Sequence, residues 1–165
     1  MQVSARADYA LRAMAELAVA ARADEGEGSS EGRSRPGSRT GVEISEAQGI
    51  PRKFLQNILF DLTKAGLAKT QRGAGGGYRL AGDPKGITLA DIIRAVEGPL
   101  ANVRGEWPED LAYSGAAEPL FEVWIALRAS MRSVLEEVSL ADVAGGELPE
   151  EVLRLTRDSS ARQHH

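Results

Sequence analysis

Apolar residues near the start of the chain recur at helical spacing. Ala7, Ala10, Leu11, Met14, Leu17, Ala18 and Ala21 fall three or four positions apart, on one face. Ser4 stands where an N-cap is needed, so the pattern predicts a helix from there to about Ala21. Residues 22–39 break the pattern. They hold no large apolar side chain and are rich in Gly, Ser and charge, which predicts a flexible insertion. Periodicity resumes at Thr40, which with Glu43 has the spacing of a capping box. Ile44 and Ala47 supply the apolar side of a short helix, and Gly49 its end. Pro51 can open the next helix, over residues 51–65, because its missing N–H is not needed in a first turn. Phe54, Leu55, Ile58, Leu59 and Leu62 are its expected buried side, and Gly66 its stop. Two helices joined by a glycine-containing turn fit a helix-turn-helix, and they also fit an ordinary helical hairpin.

The following segment separates these readings. Residues 67–72 and 78–80 are short strand-like runs joined by Gly73-Ala-Gly-Gly-Gly77, a hairpin with a glycine tip. No Lys-Ser/Thr follows and no long helix opens after it, so it is not a nucleotide-binding phosphate loop. Helix, turn, helix and hairpin make a winged helix-turn-helix. The fold class is mainly α with a small β-hairpin.

Thr88 and Asp91 cap a further helix with Ile92, Ile93 and Val96 inward and Gly98-Pro99 as its stop. After a loop at 99–118, a long helix is predicted from Pro119 to Val138. Leu120, Trp124, Leu127, Met131, Val134 and Val138 alternate spacings of four and three along it, a heptad-like seam. Phe121, Val123, Ile125 and Leu135 flank the seam, and a small domain cannot cover so much apolar circumference. The seam is therefore read as a dimer interface in preference to internal packing. Ser139 caps another short turn, and residues 149–157 form one more. The expected organisation is a DNA-binding head at 1–98, an effector-type loop at 99–118, a dimerisation helix and cap at 119–143, and a tail at 144–165.

Charge sharpens this division. The 165 residues carry net charge −4, which argues weakly against nucleic acid as a partner. The average hides an asymmetry. Residues 50–86 hold seven Lys/Arg and two Asp/Glu, a net of +5, whereas residues 87–165 carry a net of −7. A basic segment of this kind is either a solvated face or a polyanion site. There is no cysteine, which removes disulfides, thiolate metal sites and thiol catalysis. The two histidines, His164 and His165, end the chain and read as a tag remnant or tail, not as ligands or catalysts. No convergent pair of carboxylates and hydroxyls points to an enzyme. With no targeting or membrane-spanning segment, a cytoplasmic location is expected. No cofactor, metal or membrane partner is expected.

A winged helix lays its second helix in the major groove. The outward positions of residues 51–65 are Arg52, Lys53, Gln56, Asn57, Phe60 and Lys64. Arg can pair with guanine, and Gln or Asn with adenine. Phe60 either touches a thymine methyl or packs under the wing, and packing is the preferred reading. Arg72, beside Gly75 and Gly76 at the wing tip, suits a narrow minor groove or a phosphate. Arg79 lies on the wing, and Ser4 and Arg6 at the start of the first helix are candidates for a further phosphate.

The run Gly49-Ile-Pro-Arg-Lys-Phe-Leu-Gln-Asn-Ile-Leu59 and the wing Arg72-Gly-Ala-Gly-Gly-Gly-Tyr-Arg-Leu-Ala81 resemble the IscR/NsrR/CymR family of bacterial regulators. The likeness extends to residues 87–98, to Ala7-Asp-Tyr-Ala-Leu-Arg12 and to Val138-Ser-Leu-Ala-Asp-Val143. It implies a homodimer with crossed long helices on a pseudo-palindromic operator in duplex DNA, repressing by promoter occupancy. Many members sense iron–sulfur or redox status through three cysteines in the loop before the long helix, and this loop has none. Asp8 falls where some members supply an acidic ligand. Without thiolates it reads as a first-turn helix charge. The signal is then a small molecule near Trp107, Tyr113 and Trp124, a partner protein, or none. The competing reading is a protein-interaction module that keeps the fold and has lost DNA binding.

Overall fold

The computed structural model describes residues 2–26, 37–73, 76–158 and 161 of the chain. Gly75, the middle of the 22–39 insertion and both histidines lie outside the described residues.

The first helix, α1 (Ala5–Gly26), is capped by Ser4, whose hydroxyl oxygen accepts from the Ala7 amide at 3.0 Å. It runs one turn beyond the expected end, because Arg22, Ala23 and Asp24 are compatible with a helix even where no apolar face demands one. Arg22 donates to the Ala144 carbonyl at 2.6 Å, which holds this last turn against the rest of the chain. The insertion therefore starts as helix, and its other end is structured too. Arg39 and Tyr78 exchange backbone hydrogen bonds of 2.9 and 2.8 Å, adding a one-residue third strand to the wing.

The helix α2 (Gly41–Gln48) begins on the expected capping box of Thr40 and Glu43 and ends at Gly49, which has φ of 63°. Pro51 is the N-cap of α3 (Arg52–Lys64) and keeps an extended ψ of 128°. Leu55, Ile58, Leu59 and Leu62 are buried on the inner side of α3, but Phe54 is not. It is 63% exposed, because it lies about 100° round the helix from Leu55, off the core-facing arc.

The strands β1 (Ala68–Gln71) and β2 (Gly77–Leu80) pair antiparallel with Ala68 opposite Leu80. That pair is buried, and it seats the hairpin on the helices. Gly76 and Gly77 are required by close backbone approach. A Cβ at Gly76 would run into the Gln71 carbonyl, and one at Gly77 into the Arg39 carbonyl.

The helix α4 (Leu89–Glu97) starts on the Thr88–Asp91 capping box. The chain then leaves the core through the loop at 99–118 and α5 (Leu120–Leu135), and re-enters it at Val138. The Leu89 amide donates to the Val138 carbonyl at 3.0 Å and the Leu140 amide to the Ile87 carbonyl at 2.9 Å. The short helices α6 (Leu140–Gly145) and α7 (Glu150–Thr156) follow, with α6 packed on α1. The head is therefore not closed at residue 98, because Leu140 belongs to the same core as Met14, Leu17, Ile44, Leu62 and Ile92. Val138 is likewise no member of the seam. The long helix stops at Leu135, and Val138 is 3% exposed within its own chain.

Candidate nucleic-acid interface

The site is built on the outer side of α3, and the apolar inner side dictates what faces out. Leu55, Ile58, Leu59 and Leu62 occupy one arc, so Lys53, Gln56, Asn57, Phe60 and Lys64 must share the opposite one, and all five are exposed. Phe60 is 66% exposed and does not pack under the wing. The preferred expectation fails because helical spacing puts Phe60 about 160° from Leu62, too far round to reach either core or hairpin. Arg52 sits at the edge of the stripe, 3.6 Å from Glu46 of α2. It is a solvent-exposed pair that holds the side chain only weakly.

The wing stands beside this stripe. Tyr78 joins Gly41, Val42, Arg52, Leu55, Gln56 and Leu59 around a small cavity of about 260 Å³ between the hairpin, α2 and α3. Arg72 is exposed at the end of β1, next to the glycine tip. Arg79, one residue on from Tyr78, takes the other face of the hairpin. It lines a cleft of about 990 Å³ with Arg22, Lys85, Asp83 and Asp142, away from α3. Sequence reasoning misses Lys69 on the wing. The strand register places it directly opposite Arg79, two like charges across one ladder. Its signal was the alternation of the strand, legible only once the pairing is known. Among the described residues, Lys53, Lys64, Lys69, Arg72 and Arg79 carry no ion pair.

Other expected contacts are engaged elsewhere. Ser4 donates to Glu97, and Arg6 bonds Asp61 and, at 3.0 Å, the Val96 carbonyl. These two residues tie the start of α1 to α3 and α4. With Asp8, Asp61 and Glu97 around it, that helix end is not furnished for a phosphate. Gly76 answers to the hairpin's own backbone, as above.

The three aromatics of the expected effector pocket are split. Trp107 is half exposed and borders a cavity of about 490 Å³ with Arg94, Glu109, Arg128 and Arg132. Tyr113 and Trp124 form a separate pair, the indole N–H donating to the phenol oxygen at 2.9 Å. Glu109 bonds Arg128, which holds its carboxyl below the usual carboxylate range. Arg94, and then Arg132, do the same for Glu136. The Arg128–Glu109 pair and the Tyr113–Trp124 bond link α5 to the preceding loop and Arg94–Glu136 links its end to α4, whereas Arg132–Glu136 lies within α5 and its C-cap. None of its residues is buried, the seam residues Leu120, Trp124, Leu127, Met131 and Val134 included.

The residues of the 99–118 loop do not fit an iron–sulfur cluster. They offer no thiolate, and among the described residues no group of His, Cys, Asp or Glu could hold a metal ion. Asp8 is paired with Arg12 at 3.1 Å. No helix of the described residues is long and apolar enough to cross a membrane.

Comparison with known proteins agrees with this architecture. The family model Rrf2, described as an iron-dependent transcriptional regulator, matches residues 3–146. An HTH-type transcriptional regulator of Mycobacterium tuberculosis is 47% identical over 166 residues, covering 99% of this chain and 93% of that one. The structure of CymR, the global cysteine regulator of B. subtilis, superposes with a TM-score of 0.68 at 32% identity, covering 88% of this chain and 98% of that one. IscR of T. potens gives a TM-score of 0.63 at 28% identity, covering 100% and 93%. The winged head, the unburied α5 and these likenesses together show that the chain belongs to the Rrf2 family of helix-turn-helix transcriptional regulators.

Proposed function

We propose that this chain is a sequence-specific repressor that binds duplex DNA as a homodimer on a pseudo-palindromic operator. The observation that carries the reading is the stripe on α3. Lys53, Gln56, Asn57 and Lys64 face solvent together on a helix whose other side is held rigidly by the core. Gln56 and Asn57 can pair bidentately with adenine, and the lysines meet phosphate or guanine. Arg72 at the wing reaches the adjacent minor groove, and Arg52 can exchange its weak partner Glu46 for a phosphate.

Homodimerisation is supported by α5. Its apolar seam is only partly covered within the chain, with Leu120 exposed and Trp124, Leu127, Met131 and Val134 half-buried, and a two-fold pairing of the same seam would complete the cover. Two copies would set two α3 helices at a fixed spacing, which asks for two related half-sites. Repression then follows from occupying a promoter, and the work is done in the cytoplasm, where bacterial DNA is.

The test is selection from random duplex DNA. A palindrome-like motif with steeply salt-dependent affinity is expected. Enrichment of no motif at low salt would leave the protein-interaction reading. Arg72→Ala should weaken binding by roughly 1–3 kcal/mol and relax preference at the wing contact. A uniform loss across sequences would make Arg72 a phosphate contact instead.

A further inference from the structure

We infer that Phe60 is a base-reading residue, recognising the 5-methyl group of a thymine in the floor of the major groove. Phe60 is 66% exposed and does not join the core of the head. Its place is specific. At about 100° per residue, Lys53, Asn57 and Lys64 fall within about 60° of Phe60 on one side, and Gln56 about 40° away on the other. Phe60 is thus the centre line of a cationic and amide stripe, not its margin. Phe54, also exposed, lies about 120° round the helix from it and outside that line.

The surroundings determine what can cover it. Lys53 and Lys64, neither ion-paired, bracket Phe60 along α3, so an apolar protein surface docking there would bury two lone ammonium groups. Duplex DNA avoids that cost, because phosphates receive the lysines while the groove floor receives the ring. Among the base edges displayed in the major groove, the thymine methyl is the apolar group a phenyl ring can use. Lys53 and Lys64 lie about 16 Å apart along α3 with Phe60 between them, so with Phe60 at the groove floor the two lysines lie toward the phosphates on either side. Phe60 can act in this way only if α3 enters DNA as proposed above, and the experiment separates the two claims.

The full-length protein and Phe60→Ala are titrated against a selected duplex. Each thymine of one half-site is replaced in turn by deoxyuridine, which deletes only the methyl. The wild type should lose about fourfold in affinity at one position, the value of one buried methyl group. Phe60→Ala should bind the thymine and uridine duplexes equally at that position while keeping the uridine response of any other. Phe60→Leu should restore part of the preference. Indifference of the wild type to every thymine-to-uridine change overturns the inference, and so does an undiminished uridine penalty in Phe60→Ala. A change in solution mass on Phe60→Ala with unaltered uridine response also overturns it, and assigns Phe60 to a protein contact. If the wild type selects no duplex at all, the DNA-binding reading falls, and this inference falls with it.

Discussion

The head and α5 are made of similar residues held in opposite ways. In the head, α1 to α4, the hairpin and α6 close an apolar core on itself, with Met14, Leu17, Leu62, Ile92 and Leu140 fully buried. Along α5, Leu120, Trp124, Leu127, Met131 and Val134 are as apolar, yet none is more than half-buried, and the helix is linked to its surroundings by Arg128–Glu109, Arg94–Glu136 and the Trp124–Tyr113 bond. Exposed ion pairs contribute little, and buried apolar area contributes most of what stabilises a fold. The head therefore carries most of the chain's buried apolar area, whereas α5 keeps a partly covered apolar seam, the surface on which the proposed homodimer rests.

The sharpest way to break this contrast is a charge in the seam. Met131→Asp should cost several kcal/mol at a two-fold interface, where the carboxylate is buried twice, and yield monomers with an intact head. Unchanged mass by light scattering would mean that the seam packs internally. The same truncation in each region comes next. Leu62→Ala should destabilise the head by about 2–5 kcal/mol at any protein concentration. Leu127→Ala should do so only in proportion to self-association, so that its effect on denaturation midpoint grows with concentration. Equal, concentration-independent losses would erase the distinction. Thr40→Ala removes the capping-box hydroxyl of α2 and should cost about 1 kcal/mol of head stability, measured by chemical denaturation, without changing oligomeric mass.

The smallest effect concerns pH. Glu109 is held below the ordinary carboxylate range by Arg128, and Glu136 by Arg94 and then Arg132. A depressed folded-state pKa contributes stability that is complete above the unfolded value and is lost as pH falls through the folded one. Acidification should therefore loosen α5 on its own head, seen as lower hydrogen-exchange protection for α5 than for α3. Parallel loss in both helices would show that the ionic ties do not govern the position of α5.

Much of the head was legible along the chain because its signals are local. Thr40 with Glu43, Thr88 with Asp91 and Ser139 with Asp142 satisfy helix-end amides within four residues, so the three capping boxes occur where their spacing says. The inner face of α3 follows from periodicity, and the outer stripe is what remains. The misjudged positions are those whose environment is supplied from far away. Phe54 and Phe60 are the exception: a phenylalanine is usually buried, which suggests core or wing packing, but their positions round α3, about 100° from Leu55 and about 160° from Leu62, already turn them outward. Ser4 and Arg6 looked like phosphate ligands because Glu97 and Asp61 are distant in sequence and adjacent in space. Arg79 shares a two-residue alternation with Tyr78, so strand pairing alone assigned it to the far side of the wing.

Caps, turns and amphipathic arcs were settled by residues that touch within one or two turns of backbone, and these made the winged helix-turn-helix readable from the amino acids. The return of Val138 and Leu140 to the α1–α4 core and the separation of Trp107 from Tyr113 and Trp124 were decided by tertiary packing. Each depends on which distant surface arrives first at a side chain, and no spacing along a single chain records that.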